Sequence, residues 1–396
     1  MEARISIVRV SPRGMTYEIL EAVRKAMEFI GGARAYCPKE GSVLIKPNIT
    51  LPEASACASP SVTYAIAKVF AEAGCKVLLG EDPSIPVSEQ ETYDQYGMYQ
   101  LAKQAGAEVV SLRHGPHEMV EIPEGQCFKE IEVSTIAMRV DLIVSVFPLK
   151  SINLETIMTG SIKNLKGLIR PAWKRKFHCE GLNWAIVDLF RTVHTKTLAL
   201  ADGTFVTDAA RGVMYPLGII VMGSDPVATD TTCAKIIGIN PRDVEHVTIA
   251  AQAGLGTSDL NGVDFYGEAL DSILGKVEVS PPVDLFEIVA KTAGAVRIVQ
   301  GNPCSSCLTT IAKILSKYED RLPRLRKRVI VVGPTAQIPP QEENRAIIVG
   351  TCLRKYRHRG IFVDGCPPQE EVYSFAGTGT IESALEQALE EDAAVS

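Results

Sequence analysis

The segment from residue 43 to residue 82 decides the fold prediction, because it has the pattern of a strand, a helix and a second strand. VLIK (43–46) and KVLLGED (76–82) are short apolar runs, and SPSVTYAIAKVFAEAG (59–74) lies between them. The middle segment has Ser59-Pro60 at its start and Gly74 at its end, the usual helix start and stop signals. Its apolar residues repeat at helical spacing. Strand–helix–strand alternation predicts a parallel pair of strands in an α/β fold.

Further apolar runs extend this pattern over the first two thirds of the chain. They are nearly continuous rather than alternating, which is typical of parallel strands covered on both faces. These runs are ISIVRV (5–10), AEVVSL (107–112), DLIVSVF (141–147), TLALAD (197–202) and LGIIVMG (217–223). Asp225-Pro226 opens a second predicted helix, which ends at Gly238. We therefore predict a mostly parallel sheet with flanking helices.

A domain boundary is predicted near Ser280-Pro281-Pro282, where the pattern breaks. Residues 1–278 form the large domain in this prediction, and residues 285–396 form a smaller α/β domain. In the smaller domain helices are predicted over 305–318 and 381–391. Its predicted strands are AVRIVQ (295–300), RVIVVG (328–333), AIIVG (346–350) and IFVDG (361–365).

Composition excludes some classes of function. The chain has 396 residues and a formal net charge of −6, which argues against a nucleic-acid-coating protein. The first residues lack the charged and apolar regions of a leader, and no apolar run approaches the ~18 residues of a membrane span. We expect a cytoplasmic protein that uses neither nucleic acid nor membrane as a partner.

The chain contains ten cysteines. In a reducing compartment a cysteine cluster points to metal binding or catalysis rather than to disulfides. Six cysteines stand singly, and we expect them to be small buried apolar residues. They are Cys37, Cys57, Cys75, Cys127, Cys179 and Cys233.

The other four cysteines each follow a predicted strand of the smaller domain. Cys304 and Cys307 follow the strand that ends at Gln300, while Cys352 and Cys366 follow two later strands. Because the carboxyl ends of parallel strands share one edge of a sheet, these thiols should meet at one place. The Cys-x-x-Cys pair also opens a predicted helix, whose positive end favours thiolates. We predict a four-cysteine metal site there.

The spacing of these ligands favours a [4Fe–4S] cluster over zinc. Zinc sites usually use two short Cys-x-x-Cys pairs, whereas only the first pair is short here. Zinc, a redox dithiol at Cys304 and Cys307, and structural thiols stay open as alternatives. The sequence Gly365-Cys366-Pro367-Pro368 resembles the Gly-Cys-Pro-Pro cluster ligand of the small subunits of nickel–iron hydrogenases, although the other ligands are spaced differently.

A second candidate site involves residues 158–167, MTGSIKNLKG, which we call the lysine loop. A glycine-bounded loop with lysines can present backbone N–H groups and ammonium charges to an anion. A solvated basic turn is the alternative. Other polar residues follow predicted strands and should gather at the same sheet edge. We predict one pocket for a small anionic ligand, lined by Lys46, Asn48, Lys163, Asn164 and Asp225.

The segments VLIKPN, ASPSVTYAIAKVFAEAG, TGSIKNLKG, ALADG and GSDPVATD together resemble the domain-of-unknown-function 362 family over about residues 40–256. The resemblance implies an association with iron–sulfur centres. That family often has a histidine soon after Pro-x-Lys, but Pro148-Leu149-Lys150 is followed by Ser151 here. His178, just after the lysine loop, is either a proton carrier or a plain surface histidine.

Three functions follow from these predictions. The first is an iron–sulfur redox protein or reductase that passes electrons between a ferredoxin-like partner and a small anionic ligand. The second is a non-redox enzyme such as a racemase or lyase, and the Gly-Ser-x-Lys-Asn loop resembles the lactate-racemase family faintly. The third is a zinc-stabilised binding protein. No sequence pattern identifies the substrate.

Overall fold

The computed structural model of the protein describes residues 2–50, 55, 57–84, 87–152, 155–366, 368 and 379–394. Two compact units are present. One comprises Met1–Ile152 and Thr156–Pro281, and the other comprises Asn153–Glu155 and Pro282–Ser396. The division therefore falls within the Ser280-Pro281-Pro282 segment.

The first unit contains strands that belong to one large sheet and one hairpin. They are β1 (Arg4–Arg9), β2 (Ser42–Pro47), β3 (Lys76–Leu79), β4 (Glu108–Val109), β5 (His117–Glu121), β6 (Glu130–Ser134), β7 (Leu142–Ser151), β8 (Met158–Thr159), β9 (Thr197–Asp208), β10 (Val213–Gly223) and β11 (Asp264–Gly267).

Helices alternate with these strands. They are α1 (Thr16–Phe29), α2 (Pro60–Glu72), α3 (Glu89–Tyr96), α4 (Met98–Ala105), α5 (Thr135–Arg139), α6 (Ser161–Asn164), α7 (Pro171–Glu180), α8 (Leu182–Arg191), α9 (Pro226–Ile236) and α10 (Glu245–Gln252). Both helices predicted from their caps are present. The Ser59 hydroxyl accepts from the backbone N–H of Val62, and Asp225 accepts from those of Val227 and Ala228.

The described strands of the large sheet follow the order β11-β1-β10-β9-β7-β2-β3-β4, with β8 paired to β7. β4, β3, β2, β7 and β9 form a parallel series, and β11 is parallel to β1. The prediction of a mostly parallel sheet is confirmed.

One predicted strand departs from the parallel pattern. The run over 217–223 lies in β10, which is antiparallel to both β1 and β9. The reason is the short turn after Asp208, whose side chain accepts from the backbone N–H groups of Ala210 and Arg211. A turn of this length returns the chain directly, whereas a parallel neighbour needs a crossover of a dozen or more residues.

Apolar cores lie on both faces of the large sheet. Along β2, Val43 and Ile45 pack into one buried cluster, whereas Leu44 packs into the other. Adjacent strand residues point to opposite faces, so a continuous apolar run supplies both cores. The near-continuous runs in the sequence are explained in this way.

The second unit is a smaller sheet with helices. Its strands are β12 (Val296–Gln300), β13 (Arg328–Val332), β14 (Ala346–Val349) and β15 (Ile361–Val363), and its helices are α11 (Leu285–Lys291), α12 (Ser305–Lys317) and α13 (Ile381–Ala394). The strands follow the order β12-β13-β14-β15, and each neighbouring pair is parallel. The carboxyl ends of all four strands therefore lie at one edge.

Candidate functional site

The four late cysteines occupy the carboxyl edge of the smaller sheet. Cys304 is the residue before α12, and Cys307 lies in the first turn of that helix. Cys352 lies in a short helical turn, Thr351–Tyr356, directly after β14. Cys366 follows β15. The predicted positions of these cysteines relative to strands and helix agree with the structure.

The thiols are close enough to influence one another. The sulfurs of Cys352 and Cys307 lie 3.5 Å and 3.8 Å from the position that a Cβ would take on Gly350, so these two sulfurs are no farther apart than the sum of those distances. The charges of Cys304, Cys352 and Cys366 all act on the Cys307 thiol. That all four sulfurs lie within roughly 7 Å of one another stays a prediction.

Hydrogen bonds join the loops that carry Cys352 and Cys366. The backbone N–H of Thr351 donates to the Gly365 carbonyl at 3.0 Å. The Thr351 hydroxyl donates to Asp364 at 2.7 Å, and Arg354 binds the other oxygen of that carboxylate at 2.5 Å. Neighbouring residues of the two cysteines are thus held together.

One proton is lost readily from the Cys304–Cys307 pair. The hydrogen bond from the Cys307 thiol, together with backbone N–H groups at the start of α12, lowers the pKa of Cys304 to about 6 although burial opposes the shift. The same hydrogen bond, burial and the neighbouring thiolates raise the pKa of Cys307. The thiolate of Cys304 is therefore stabilised. Deprotonation of Cys307 as well is unfavourable unless a cation compensates its charge.

A single metal ion and a cluster place different demands on the spacing of four thiols. Within the described ranges, no group of three or more His, Cys, Asp or Glu side chains is arranged to hold one metal ion. A single zinc draws its four sulfurs to about 2.3 Å from one centre. A [4Fe–4S] cluster binds each thiolate through a different iron, so it accommodates more widely spaced sulfurs. The donor set of four thiols fits such a cluster in type and number.

The basic run after Cys352 is partly neutralised. Arg354 pairs with Asp364, and Arg359 pairs with Glu343. These pairs partly compensate the positive charge of residues 354–359.

In the first unit, Lys46, Asn48 and Asn164 form one buried hydrogen-bonded network. The Lys46 ammonium donates to Glu81 at 2.5 Å and to the Asn164 side-chain oxygen at 2.7 Å. Asn48 donates to the same oxygen at 3.0 Å, and Lys150 donates to Asn48 at 3.1 Å. The Lys46 side chain is fully buried. The network joins the ends of β2 and β7 to the lysine loop.

Burial destabilises both charges of the central ion pair. Burial lowers the pKa of Lys46 and raises the pKa of Glu81, and their mutual attraction opposes both shifts. Such a pair persists only when its remaining hydrogen-bonding groups are satisfied. Asn164 accepts from Lys46, and the backbone N–H groups of Ile49 and Asp82 donate to Glu81.

Gly167 closes the lysine loop over this pair. A Cβ on Gly167 would lie 1.7 Å from a Glu81 carboxylate oxygen and 2.5 Å from the Lys46 side chain. No side chain larger than hydrogen fits at that distance, so the glycine is required for the loop to cover the ion pair.

A second buried ion group, which sequence reasoning missed, lies beside the first. Asp82 binds Arg113 at 2.5 Å and Lys174 at 2.8 Å. Lys174 also donates to the backbone carbonyls of Asp82 and Pro83. The Gly80-Glu81-Asp82 strand end was the available signal, but its partners come from distant segments.

Lys163 lies in a different environment, next to histidines. Lys166 contacts the Nε2 atom of His178 at 2.7 Å. Burial and the charges of Lys166 and Lys163 hold the pKa of His178 well below its usual range. Burial and Lys163 lower the pKa of His246 to about 3. Both imidazoles are therefore neutral at pH 7.

Asp225 caps a helix. Its carboxylate accepts from the backbone N–H groups of Val227, Ala228 and Thr257. The nearby Asp230, which sequence reasoning missed, is fully buried and accepts from the backbone N–H groups of Ser161 and Ile162 in the lysine loop. Burial raises the pKa of Asp230 to about 7. Of the five predicted pocket residues, three are joined directly and two are not.

A separate cavity of about 420 Å³ lies in the first unit. Residues of β7, β9, α2 and α3 line it, including Pro148, Asp202, Ser61 and Tyr96. The five predicted pocket residues are not among the described residues that line it.

Comparison with known proteins supports the predicted resemblance for part of the chain. The model of the family described as Domain of unknown function (DUF362) matches residues 43–235. The thylakoid-associated protein sll1697 of Synechocystis sp. is 25% identical over 260 residues, which cover 62% of this chain and 78% of that protein. The predicted resemblance is confirmed over the matched residues.

One solved structure is distantly similar. The lactate racemase apoprotein from Thermoanaerobacterium thermosaccharolyticum is 16% identical, with a TM-score of 0.37 over 59% of this chain. The match spans 57% of the length of that structure, and a likeness at this level carries no information about function. Throughout the part of the chain that the structure describes, no helix is both long and apolar enough to cross a membrane.

Proposed function

We propose that the second unit binds a [4Fe–4S] cluster through Cys304, Cys307, Cys352 and Cys366, and that the protein transfers electrons. The observation that carries this proposal is the placement of the four cysteines on three loops at one sheet edge, with the sulfurs of Cys307 and Cys352 next to the same glycine, Gly350. A cluster would supply a one-electron redox centre when bound.

The chain's own residues have two tasks in this proposal. The start of α12 stabilises the thiolate of Cys304, while the Thr351–Asp364 hydrogen bond fixes the two single-cysteine loops. Cys352 and Cys366 are exposed, whereas Cys307 is buried. The exposed side of the site would let a redox partner, such as a ferredoxin-like protein, approach the centre closely.

Anaerobic purification followed by iron, sulfide and zinc analysis tests the proposal. We expect about four irons and four sulfides per chain, with a paramagnetic signal after reduction by dithionite. Cys352→Ser should lose most of the iron, whereas Cys179→Ser, at an exposed cysteine on α7, should retain it. One zinc without iron or sulfide would refute the redox function and favour the zinc alternative.

A second candidate function is non-redox proton transfer on a small anionic ligand. The contact between Lys166 and His178 favours it, because a neutral imidazole hydrogen-bonded to an ammonium can relay a proton between that ammonium and a ligand. Lys163 and Lys166 would attract the carboxylate of such a ligand. In this case the racemase or lyase alternative applies, and the cysteine site has a structural role.

Deuterium incorporation tests this candidate. The purified protein is incubated in D₂O with a panel of small chiral carboxylates, and exchange next to the carboxylate is measured by mass spectrometry. We expect exchange with the wild type and its loss in His178→Gln, with His114→Gln at an exposed histidine as the control. Equal exchange in both variants would contradict the assignment of His178.

A further inference from the structure

The cavity of the first unit has the size of a small-molecule site. Its volume of about 420 Å³ falls within the range of roughly 300–1,000 Å³ that is usual for ligand pockets. Ile49, just after β2, and Pro148 and Asp202, in β7 and β9, contribute to its wall. These strands are parallel neighbours in the sheet. Ile49 lies just past the carboxyl end of β2, the kind of position at which ligands of open α/β sheets bind.

The wall of the cavity is mostly apolar with a few polar groups. Ile19, Ile49, Phe205 and Met214 supply apolar surface. Among the described lining residues there is no Lys, Arg or His, and Asp202 is the residue that carries a full charge. Burial holds the pKa of the lining Tyr96 well above its usual range, so its phenol stays neutral.

Asp202 is firmly positioned in this wall. One carboxylate oxygen accepts from the backbone N–H of Ser59 at 2.7 Å, and the other accepts from the backbone N–H and the hydroxyl of Thr204 at 3.1 Å and 2.6 Å. Only 3% of the residue is exposed. A carboxylate oxygen can accept more than one hydrogen bond, so the oxygen facing Ser59 can also accept from a ligand.

One buried cation, Lys150, interacts with a residue of the wall although it is not among the described lining residues. Lys150 is buried, donates to Asn48 and interacts electrostatically with Cys57. Cys57 does line the cavity, and its backbone forms a bridge with Ile49. The thiol therefore reports on the occupancy of the cavity from within its wall.

We propose that this cavity binds a small molecule with an apolar body and a neutral or cationic hydrogen-bond donor, which Asp202 accepts. Small anions are disfavoured, because their charge would enter a low-polarity space beside a fixed carboxylate. This site is distinct from the lysine loop and independent of the metal proposed for the second unit.

Three probes of nearly identical shape test the charge preference. Benzamidine is cationic, benzamide is neutral and benzoate is anionic, and all three carry the same ring. The rate at which iodoacetamide alkylates Cys57 is followed by peptide mass spectrometry, with the exposed Cys179 as the internal reference. We expect benzamidine and benzamide to slow alkylation of Cys57 about tenfold at nearly ten times their Kd, and to leave Cys179 unaffected.

Benzoate should leave the rate at Cys57 unchanged. Protection by benzoate equal to that by benzamidine, or protection by none of the three, would overturn the proposal. Ser61 lines the cavity near the start of α2, so Ser61→Phe should fill it and abolish the protection. Tyr64→Phe, on the same helix but outside the described lining, should retain it. Persistent protection in a folded Ser61→Phe variant would equally contradict the assignment.

Discussion

At the residue scale, the lysine loop depends on the absence of a side chain at position 167. Gly167→Ala would bring a methyl group against Glu81 and Lys46, which cannot move apart without breaking their buried ion pair. We expect a loss of about 1–3 kcal/mol in the free energy of unfolding, as for an overpacked core. Urea unfolding followed by tryptophan fluorescence measures it, because both Trp173 and Trp184 lie in the first unit.

Gly262 provides the matched control for that experiment. A Cβ at this position meets nothing within 4 Å. Gly262→Ala should therefore change the unfolding free energy by less than about 0.5 kcal/mol. Equal losses in the two variants would show that the effect is a general one of replacing glycine rather than a clash with the ion pair.

The buried His246 makes stability depend on pH. Its pKa is lowered to about 3 in the folded protein, against the usual 6.5. Between these values the unfolded chain binds a proton that the folded protein does not bind, so stability falls as the pH falls below 6.5. The slope from this group reaches about 1.4 kcal/mol per pH unit.

Comparison with His246→Asn isolates this contribution. The stability difference between the wild type and the variant should shrink from pH 7 to pH 5, because only the wild type loses stability through this group. His114→Asn, at an exposed position, controls for the general effect of replacing a histidine with asparagine. A difference between the wild type and His246→Asn that stays constant with pH would contradict the lowered pKa.

At the element scale, Asp225 is expected to stabilise α9 through its cap. Its carboxylate satisfies two backbone N–H groups at the start of the helix and one at Thr257. Asp225→Ala should cost about 0.5–2 kcal/mol of unfolding free energy, and Asp225→Ser should cost less because its hydroxyl can still cap. Thermal unfolding measures both. Equal stability of Asp225→Ala and the wild type would leave a ligand-binding role as the better explanation for this residue.

Local signals explain which elements could be predicted. The caps at Ser59 and Asp225 and the continuous apolar runs are short-range features, and α2, α9 and the strands of the smaller sheet follow them closely. The antiparallel direction of β10 was missed, because a continuous apolar run does not specify strand direction. The direction of β10 is set by the turn after Asp208. The side-chain hydrogen bonds that hold this turn are not visible in a single-sequence pattern.

The charge network could be predicted only in part, for a similar reason. The structure joins Lys46, Asn48 and Asn164 in one hydrogen-bonded network, as expected for residues that follow a strand or lie in the lysine loop, while their role in a ligand pocket stays a prediction. Their partners were less accessible to sequence reasoning, because Lys46 meets Glu81 and Asn164 across 35 and 118 residues of chain. The sequence also did not indicate that Lys46 would be fully buried rather than face an open pocket.

At the scale of the whole molecule, the two units should respond separately to loss of the cysteine site. Metal binding contributes directly to the stability of a small domain whose ligands come from several loops. Cys304→Ser, Cys352→Ser and Cys366→Ser should each lower iron content and visible absorbance. A serine oxygen is a harder and poorer ligand for an iron–sulfur cluster than a thiolate. The second unit should therefore unfold at a lower temperature in these variants.

The first unit supplies its own readout in the same experiment. It has its own apolar cores on both faces of the large sheet and contains both tryptophans of the chain. In the three cysteine variants, the unfolding transition followed by tryptophan fluorescence should therefore stay near that of the wild type. Limited proteolysis should detect cleavage after residue 282 at a lower temperature than in the wild type. Cys233 is a buried cysteine of the first unit, so Cys233→Ser should lower the temperature of the tryptophan transition and leave cleavage after residue 282 unchanged. A common shift of both transitions in the Cys352→Ser variant would contradict independent stability of the two units.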